Sequence, residues 1–188
     1  MKNLHLVFIS ASFLVFMMAA CDASVSSKKT DQTTVREFNL QRYFGLWYEI
    51  GRYQNSFERN LVGVTATYMP KEDGRVEVLN RGFFKDLNGK LKSARGKAKL
   101  SGQTGKLKVS FFLNFYADYN ILELDQQNYQ WALIGSSSPG YLWILSRVPV
   151  MKEDLYREIL RKAEARGYDT TMIFKVPQFL LVKPANLE

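Results

Sequence analysis

The 188-residue chain carries one histidine and one cysteine, and both lie within its first 21 residues, as His5 and Cys21. From residue 22 onward there is no imidazole. A Ser-His-Asp relay cannot be assembled there, nor a zinc site of His and Cys, nor a haem held by histidine. A lone cysteine also excludes an internal disulfide. Carboxylates remain for acid–base work, but Glu72-Asp73 and Glu153-Asp154 are adjacent pairs that read as a turn and a helix start. Glu49 is different, an acid on an otherwise apolar stretch. Burial would raise its pKa, or an arginine or lysine would pair with it, or it would hold a polar head group. Neither a phosphate-binding P-loop nor a dinucleotide-type glycine fingerprint occurs. The expectation is a chain without metal or cofactor and not an enzyme.

Cys21 ends a segment of its own kind. Met1-Lys2 supplies a positive charge, Leu4 to Ala20 is almost wholly apolar, and the small pair Ala19-Ala20 precedes the cysteine. Residues 1–20 therefore read as a signal peptide, too short and too poorly flanked for a membrane span; an uncleaved anchor helix is the open alternative. Residues 21–36 are rich in Ser, Thr and Lys and read as a flexible tether with a reach of roughly 20 Å. Residues 37–188 form the folded domain. The whole chain's 46% hydrophobic and 14% aromatic content suits a globule with a sizeable core.

From Trp47 onward the pattern is short strands and turns. Val62, Val64, Ala66 and Tyr68 alternate with Gly63, Thr65 and Thr67, a period of two. Pro70 to Gly74 is a turn, Val76 and Val78 alternate with Arg75 and Glu77, and Asn88-Gly89 signals a hairpin. Similar alternation runs over Ala94 to Leu100 and Leu107 to Phe111, with further strands at Asp118 to Leu124, Tyr129 to Gly135 and Tyr141 to Arg147. About eight consecutive strands on short turns favour an antiparallel sandwich or an up-and-down barrel, and a barrel leaves no exposed edge. One helix follows: Glu153 and Asp154 at its start, Arg161, Lys162 and Arg166 near its end, Leu155, Ile159 and Ala163 on one face, and Gly167 as the stop. The expected fold is all-β with one helix: an eight-stranded antiparallel up-and-down β-barrel with a C-terminal α-helix packed outside.

Three segments then carry a resemblance. Gly45-Leu46-Trp47-Tyr48-Glu49-Ile50 resembles the first signature of the lipocalins, Tyr119 to Asp125 with Tyr129 the middle one, and Tyr141-Leu142-Trp143-Ile144-Leu145-Ser146-Arg147 the last-strand signature. Order and spacing fit over roughly Phe38 to Pro177. Phe57-Glu58-Arg59 and Val109 to Tyr116 look like the bacterial and apolipoprotein-D-like branch. The resemblance implies binding, storage or transport of a hydrophobic ligand (a fatty acid, phospholipid or lysophospholipid) at the bacterial envelope, in support of membrane maintenance. A barrel enzyme on a lipid-like substrate and a purely structural envelope lipoprotein are the rival readings. Met18-Ala19-Ala20-Cys21 resembles the bacterial lipobox, with Met18 where leucine is usual, and implies acylation of Cys21, the lipid anchor. The outer membrane, on its periplasmic side, is the expected location; Asp22 resembles an inner-membrane retention signal and keeps that membrane open.

Two residues can be paired without the family. Trp47 starts the first strand and Arg147 ends the last. In a closed barrel those ends meet at one rim, and a guanidinium over an indole is worth about 0.5–2 kcal/mol. Both are expected to close the barrel floor. With Trp47 inward, strict alternation puts Glu49, Gly51 and Tyr53 inward too. Val64, Ala66, Tyr68, Val78, Asn80, Ala98, Val109, Phe111 and Trp143 complete the expected ligand lining, an apolar cup with sparse polar groups. Arg95, Lys97, Lys99, Lys106 and Lys108 form an outward basic face, either merely solvated or leaning on anionic head groups. Expected partners are a small hydrophobic ligand and the membrane through the N-terminal lipid, with a homodimer left open and no nucleic acid, the net charge of +8 notwithstanding.

Overall fold

The computed structural model describes residues 29–179, so the expected signal peptide, Cys21 and the first part of the tether lie outside the described residues. Eight strands follow one another: β1 (Gly45–Tyr53), β2 (Leu61–Pro70), β3 (Val76–Phe84), β4 (Leu91–Leu100), β5 (Lys106–Ser110), β6 (Ala117–Leu124), β7 (Trp131–Gly135) and β8 (Leu142–Ser146). Each pairs antiparallel with the next. β8 returns to β1 with Tyr48 opposite Ser146, while β1 also pairs with β2, Trp47 opposite Ala66, so the sheet closes into a barrel. Closure satisfies the edge hydrogen bonds that an open sheet would expose.

Two faces give two cores. Inside the barrel, Trp47, Tyr68, Val76, Val78, Ala98, Leu107, Ile121, Ala132, Ile134 and Leu145 pack together. Outside it, Ile50, Leu122, Leu133, Leu142 and Ile144 form a second apolar surface, the alternate residues of the same strands. The helix α2 (Glu153–Ala165) covers that surface with Tyr156, Ile159 and Ala163. Ile159 is fully buried, a burial worth about 1.5–3 kcal/mol. Glu153 and Asp154 occupy its first turn, and Gly167, at φ +88°, ends it where a side chain would be strained.

Three features depart from the sequence reading. A four-residue helix α1 (Leu40–Tyr43) precedes β1, capped by the Asn39 side chain, which accepts from the Arg42 amide. A ninth strand, β9 (Ile173–Lys175), pairs with Gly51–Tyr53 of β1. It fits there because β1 and β2 pair only as far as Tyr48 and Thr65, leaving the upper half of β1 without β2. Residues 31–35, which fall within the expected tether, are bonded to the barrel domain. Asp31 donates its amide to the Arg166 carbonyl (2.8 Å), Gln32 donates to the Tyr168 hydroxyl (2.6 Å), Thr34 to the Thr104 carbonyl (2.6 Å) and Val35 to the Ile121 carbonyl (3.0 Å). These residues are mostly polar in composition, but they bind the barrel as a strap, with Val35 packed against the inner cluster.

Candidate functional site

The floor is built from the first strand's start. The Arg147 guanidinium lies 3.8 Å from the centre of the Trp47 ring. It is fixed there by donating to the carbonyls of Tyr129 (3.2 Å), Leu46 (2.8 Å) and Arg42 (2.8 Å). Trp47 donates its indole N–H to the Tyr43 carbonyl at 2.9 Å. Tyr43 and Trp47 are both fully buried. Burial of Tyr43 in apolar surroundings pushes its hydroxyl pKa well up, and it stays a neutral hydrogen-bonding group.

Above the floor, the inner wall is graded. Val76, Val78 and Ala98 are sealed, whereas Ala66, Asn80, Val109, Tyr119 and Trp143 on the same inner face are only half-buried. On β4 every residue from Leu91 to Arg95 is exposed, including Ala94, whose partner is the inward Asn80. The interior therefore opens to solvent at the end opposite Trp47. The hydroxyls of Tyr43, Tyr68 and Tyr119 join midway, at 2.7 and 2.8 Å.

The polar end of the cup is a cluster that alternation does not foretell. Register shifts between Glu49 and Gly51, so Ile50 and Gly51 both face outward and Arg52 turns inward. Gly51 lies against Ile173, Tyr156 and Ile144, and Tyr53 packs on the helix side against Tyr168. Both were expected inside; the bulge moves them to the opposite face. Arg52 takes their place. Its guanidinium, fully buried, meets Glu49 at 2.6 Å and donates to the carbonyls of Glu58 (2.9 Å) and Leu61 (2.9 Å). Phe174 of β9 lies beneath it, 5.1 Å to the ring centre.

Glu58 comes from the segment joining β1 to β2 and is buried. Its carboxylate accepts from the Trp143 indole N–H at 3.0 Å and from Asn55 at 2.5 Å. Burial raises the Glu49 pKa well above the usual carboxylate range; the Glu58 charge adds to the rise and Arg52 opposes it. Inside a largely apolar barrel the guanidinium thus pairs with the Glu49 carboxyl, while the neighbouring Glu58 carboxylate is held by Asn55 and Trp143.

Of the other expected residues, Val64 is buried against Gly82, and Tyr68 and Val78 belong to the inner core. Phe111 stands just beyond the end of β5, 44% exposed, against Gly96, and does not join the inner core. Arg52, Asn55, Glu58 and Tyr119 are the inner polar groups that the sequence reading did not place. Cys21 lies outside the described residues. Among the described residues no cluster of His, Cys, Asp and Glu could hold a metal ion, and no helix is long and apolar enough to cross a membrane.

A closed antiparallel barrel of eight strands with a sealed floor, an inner cup open at one end and a helix on its flank has the architecture of a lipocalin calyx. Residues 38–178 match the family described as "Lipocalin-like domain", and the chain belongs to that family. Among curated proteins it is 42% identical over 146 residues to the outer membrane lipoprotein Blc of Vibrio cholerae, covering 77% of this chain and 85% of that protein. It is 38% identical over 175 residues to outer membrane lipoprotein Blc of Escherichia coli, covering 92% and 97%. Insecticyanin from the tobacco hornworm Manduca sexta shares the fold, with a TM-score of 0.65 at 17% identity over 80% of this chain and 86% of that one.

Proposed function

We propose that this lipocalin binds and carries a single-chain amphiphile, a fatty acid or lysophospholipid, at the bacterial outer membrane, to which acylated Cys21 tethers it. The observation that carries the reading is the graded inner wall. Val76, Val78, Trp47 and Leu145 make a dry floor for a hydrocarbon end, and exposure rises along Asn80, Val109 and Trp143 towards the mouth. An apolar cup with few polar groups is the usual form of a small-ligand site. Asn80 Oδ1 and Arg52 Nε are buried and have no hydrogen-bond partner in the protein, which suits them to a ligand's polar portion. The relatives' name, outer membrane lipoprotein, supports the location and the anchor. In that setting the carrier would serve membrane maintenance by moving single-chain lipids.

Mass spectrometry of lipid extracted from the purified native protein tests the reading. Recovery of a stoichiometric single-chain lipid is the expected result; a lipid-free protein that also ignores added lipids contradicts it. Cys21→Ser should remove acylation and shift the protein out of the membrane fraction, and retention in membranes at unchanged mass contradicts the anchor. The adjacent carboxyls of Glu49 and Glu58 favour one second reading, acid catalysis on a lipid-like substrate. Chemical change of an added lipid, abolished by Glu49→Gln, would select it over carriage.

A further inference from the structure

The segment between β5 and β6 carries its apolar side chains on the outside. Phe112, Leu113 and Phe115 are 68%, 68% and 74% exposed, and the two phenyl rings stack at 6.3 Å with 9° between their planes. Nothing in the barrel or under the helix uses them. Leaving three large apolar groups together in water is unfavourable, and contiguous patches of this kind mark protein–protein or membrane interaction sites.

The surroundings of the patch are basic. Lys97 and Lys99 project from the neighbouring strand β4 over the Tyr116 ring, at 5.8 and 4.6 Å from its centre. Lys97 also donates to the Asn114 side chain at 2.7 Å, which holds the segment against β4. Neither lysine has a carboxylate partner among the described residues. Lys71, Phe111, Phe112, Leu113 and the ion pair of Arg95 with Glu77 line a groove of about 290 Å³ beside them. Gly96 is required here, since a Cβ would stand 2.7 Å from both the Phe111 ring and the Ser110 carbonyl. The arrangement is therefore apolar side chains at the tip, a tyrosine at the boundary and ammonium groups behind it.

We infer that the Phe111–Tyr116 segment, with Lys97 and Lys99, is a docking element for an anionic lipid bilayer, inserting Phe112, Leu113 and Phe115 between the head groups. Each part matches one layer of such a surface: phenyl and leucyl groups the acyl boundary, tyrosine the head-group level, and lysines the anionic phosphates. The same flank borders the exposed upper half of β4, where the cup opens. Docking there brings the mouth beside the lipid, independently of any acyl chain.

The test places a reporter at the tip. Phe112→Trp is introduced into the full chain, and its emission, as the difference from the parent, is recorded on vesicles of phosphatidylglycerol with phosphatidylcholine and on phosphatidylcholine alone. On the anionic vesicles the added emission is expected to shift to the blue and to be quenched by lipids brominated in the upper acyl chain. Both effects should be lost with Lys97→Gln combined with Lys99→Gln. An added emission that stays water-like on anionic vesicles overturns the inference. A blue shift that grows with protein concentration without lipid assigns the patch to a second copy of the chain and overturns it as well. Equal insertion into both vesicles, indifferent to the lysines, contradicts the charge-selected surface.

Discussion

Arg52 and Glu49 lie three residues apart on one strand yet meet inside the barrel, Nη1 to Oε1 at 2.6 Å, both nearly inaccessible to solvent. In a regular strand residues three apart face opposite ways. The bulge at Ile50 and Gly51 brings them to the same side, and Glu58 makes the pair a triad. Removing the cation would leave the buried Glu49 carboxyl and the carbonyls of Glu58 and Leu61 without their donor. Arg52→Ala is therefore expected to destabilise by about 3–5 kcal/mol. Thermal or denaturant unfolding measures this; a loss below about 1 kcal/mol would show that the pair is dispensable.

The pH dependence of that cluster has a definite sign. The Glu49 pKa is raised in the folded protein above its ordinary 4.5, so the folded state holds this proton more tightly than the unfolded one. Its contribution to stability is fully present below about pH 4.5 and is lost as pH rises through the raised value. Glu49→Gln, neutral at every pH, should flatten this part of the stability profile and gain relative to the parent towards alkaline pH. The difference between parent and variant unfolding free energies across pH 4–8 measures it. A difference that does not change with pH contradicts the burial of an acid with a raised pKa.

The barrel floor offers a coupled pair. Trp47→Ala removes a fully buried indole and is expected to cost about 3–5 kcal/mol. Arg147→Ala should cost less, since Trp47 keeps its packing and its bond to the Tyr43 carbonyl. The double variant should show coupling of about 0.5 kcal/mol or more, because the guanidinium lies on the ring. Strict additivity would mean that their contact contributes nothing.

Much of this was legible in the sequence, for specific reasons. Trp47 and Arg147 could be paired because in a closed up-and-down barrel the first and last strands are antiparallel neighbours. The helix was legible from Leu155, Ile159 and Ala163 with charges of the right sign at each end. Gly51 and Tyr53 were placed on the wrong face because a one-residue bulge reverses alternation and leaves no mark in composition. Arg52 was missed for the same reason, and both Arg52 and Glu58 for another: a charged residue reads as solvent-facing until its partners are known. Residues 31–36 read as tether because their bonds to the barrel run through backbone groups and short polar side chains, which hydrophobic periodicity does not record.

Filling the cup distinguishes a cavity from a core. Ala66 is half-buried between Trp47 on β1 and Asn80 on β3. Ala66→Trp should therefore be tolerated while occupying the space of at least two methylenes, weakening lipid binding about tenfold or more at about 0.8 kcal/mol each. Ala98 is sealed between Val76 and Val109. Ala98→Trp overpacks the floor and should destabilise by about 1–3 kcal/mol or more. Unchanged affinity in a folded Ala66→Trp variant would place the ligand elsewhere.

The central claim is that a hydrocarbon tail lies in the cup with its end towards Trp47. About twelve methylenes contribute roughly 10 kcal/mol at about 0.8 kcal/mol each. Association costs of about 4 kcal/mol or more leave roughly 6 kcal/mol, a dissociation constant in the tens of micromolar from the tail alone. The direct measurement is quenching of intrinsic tryptophan fluorescence by fatty acids and lysophospholipids of graded chain length. Trp47 and Trp143 face the inside, and Trp131 packs with the helix-side cluster as a background. Affinity should rise by about fourfold per added methylene until the tail reaches the floor, then level off. Affinity that is flat across chain lengths would contradict the account.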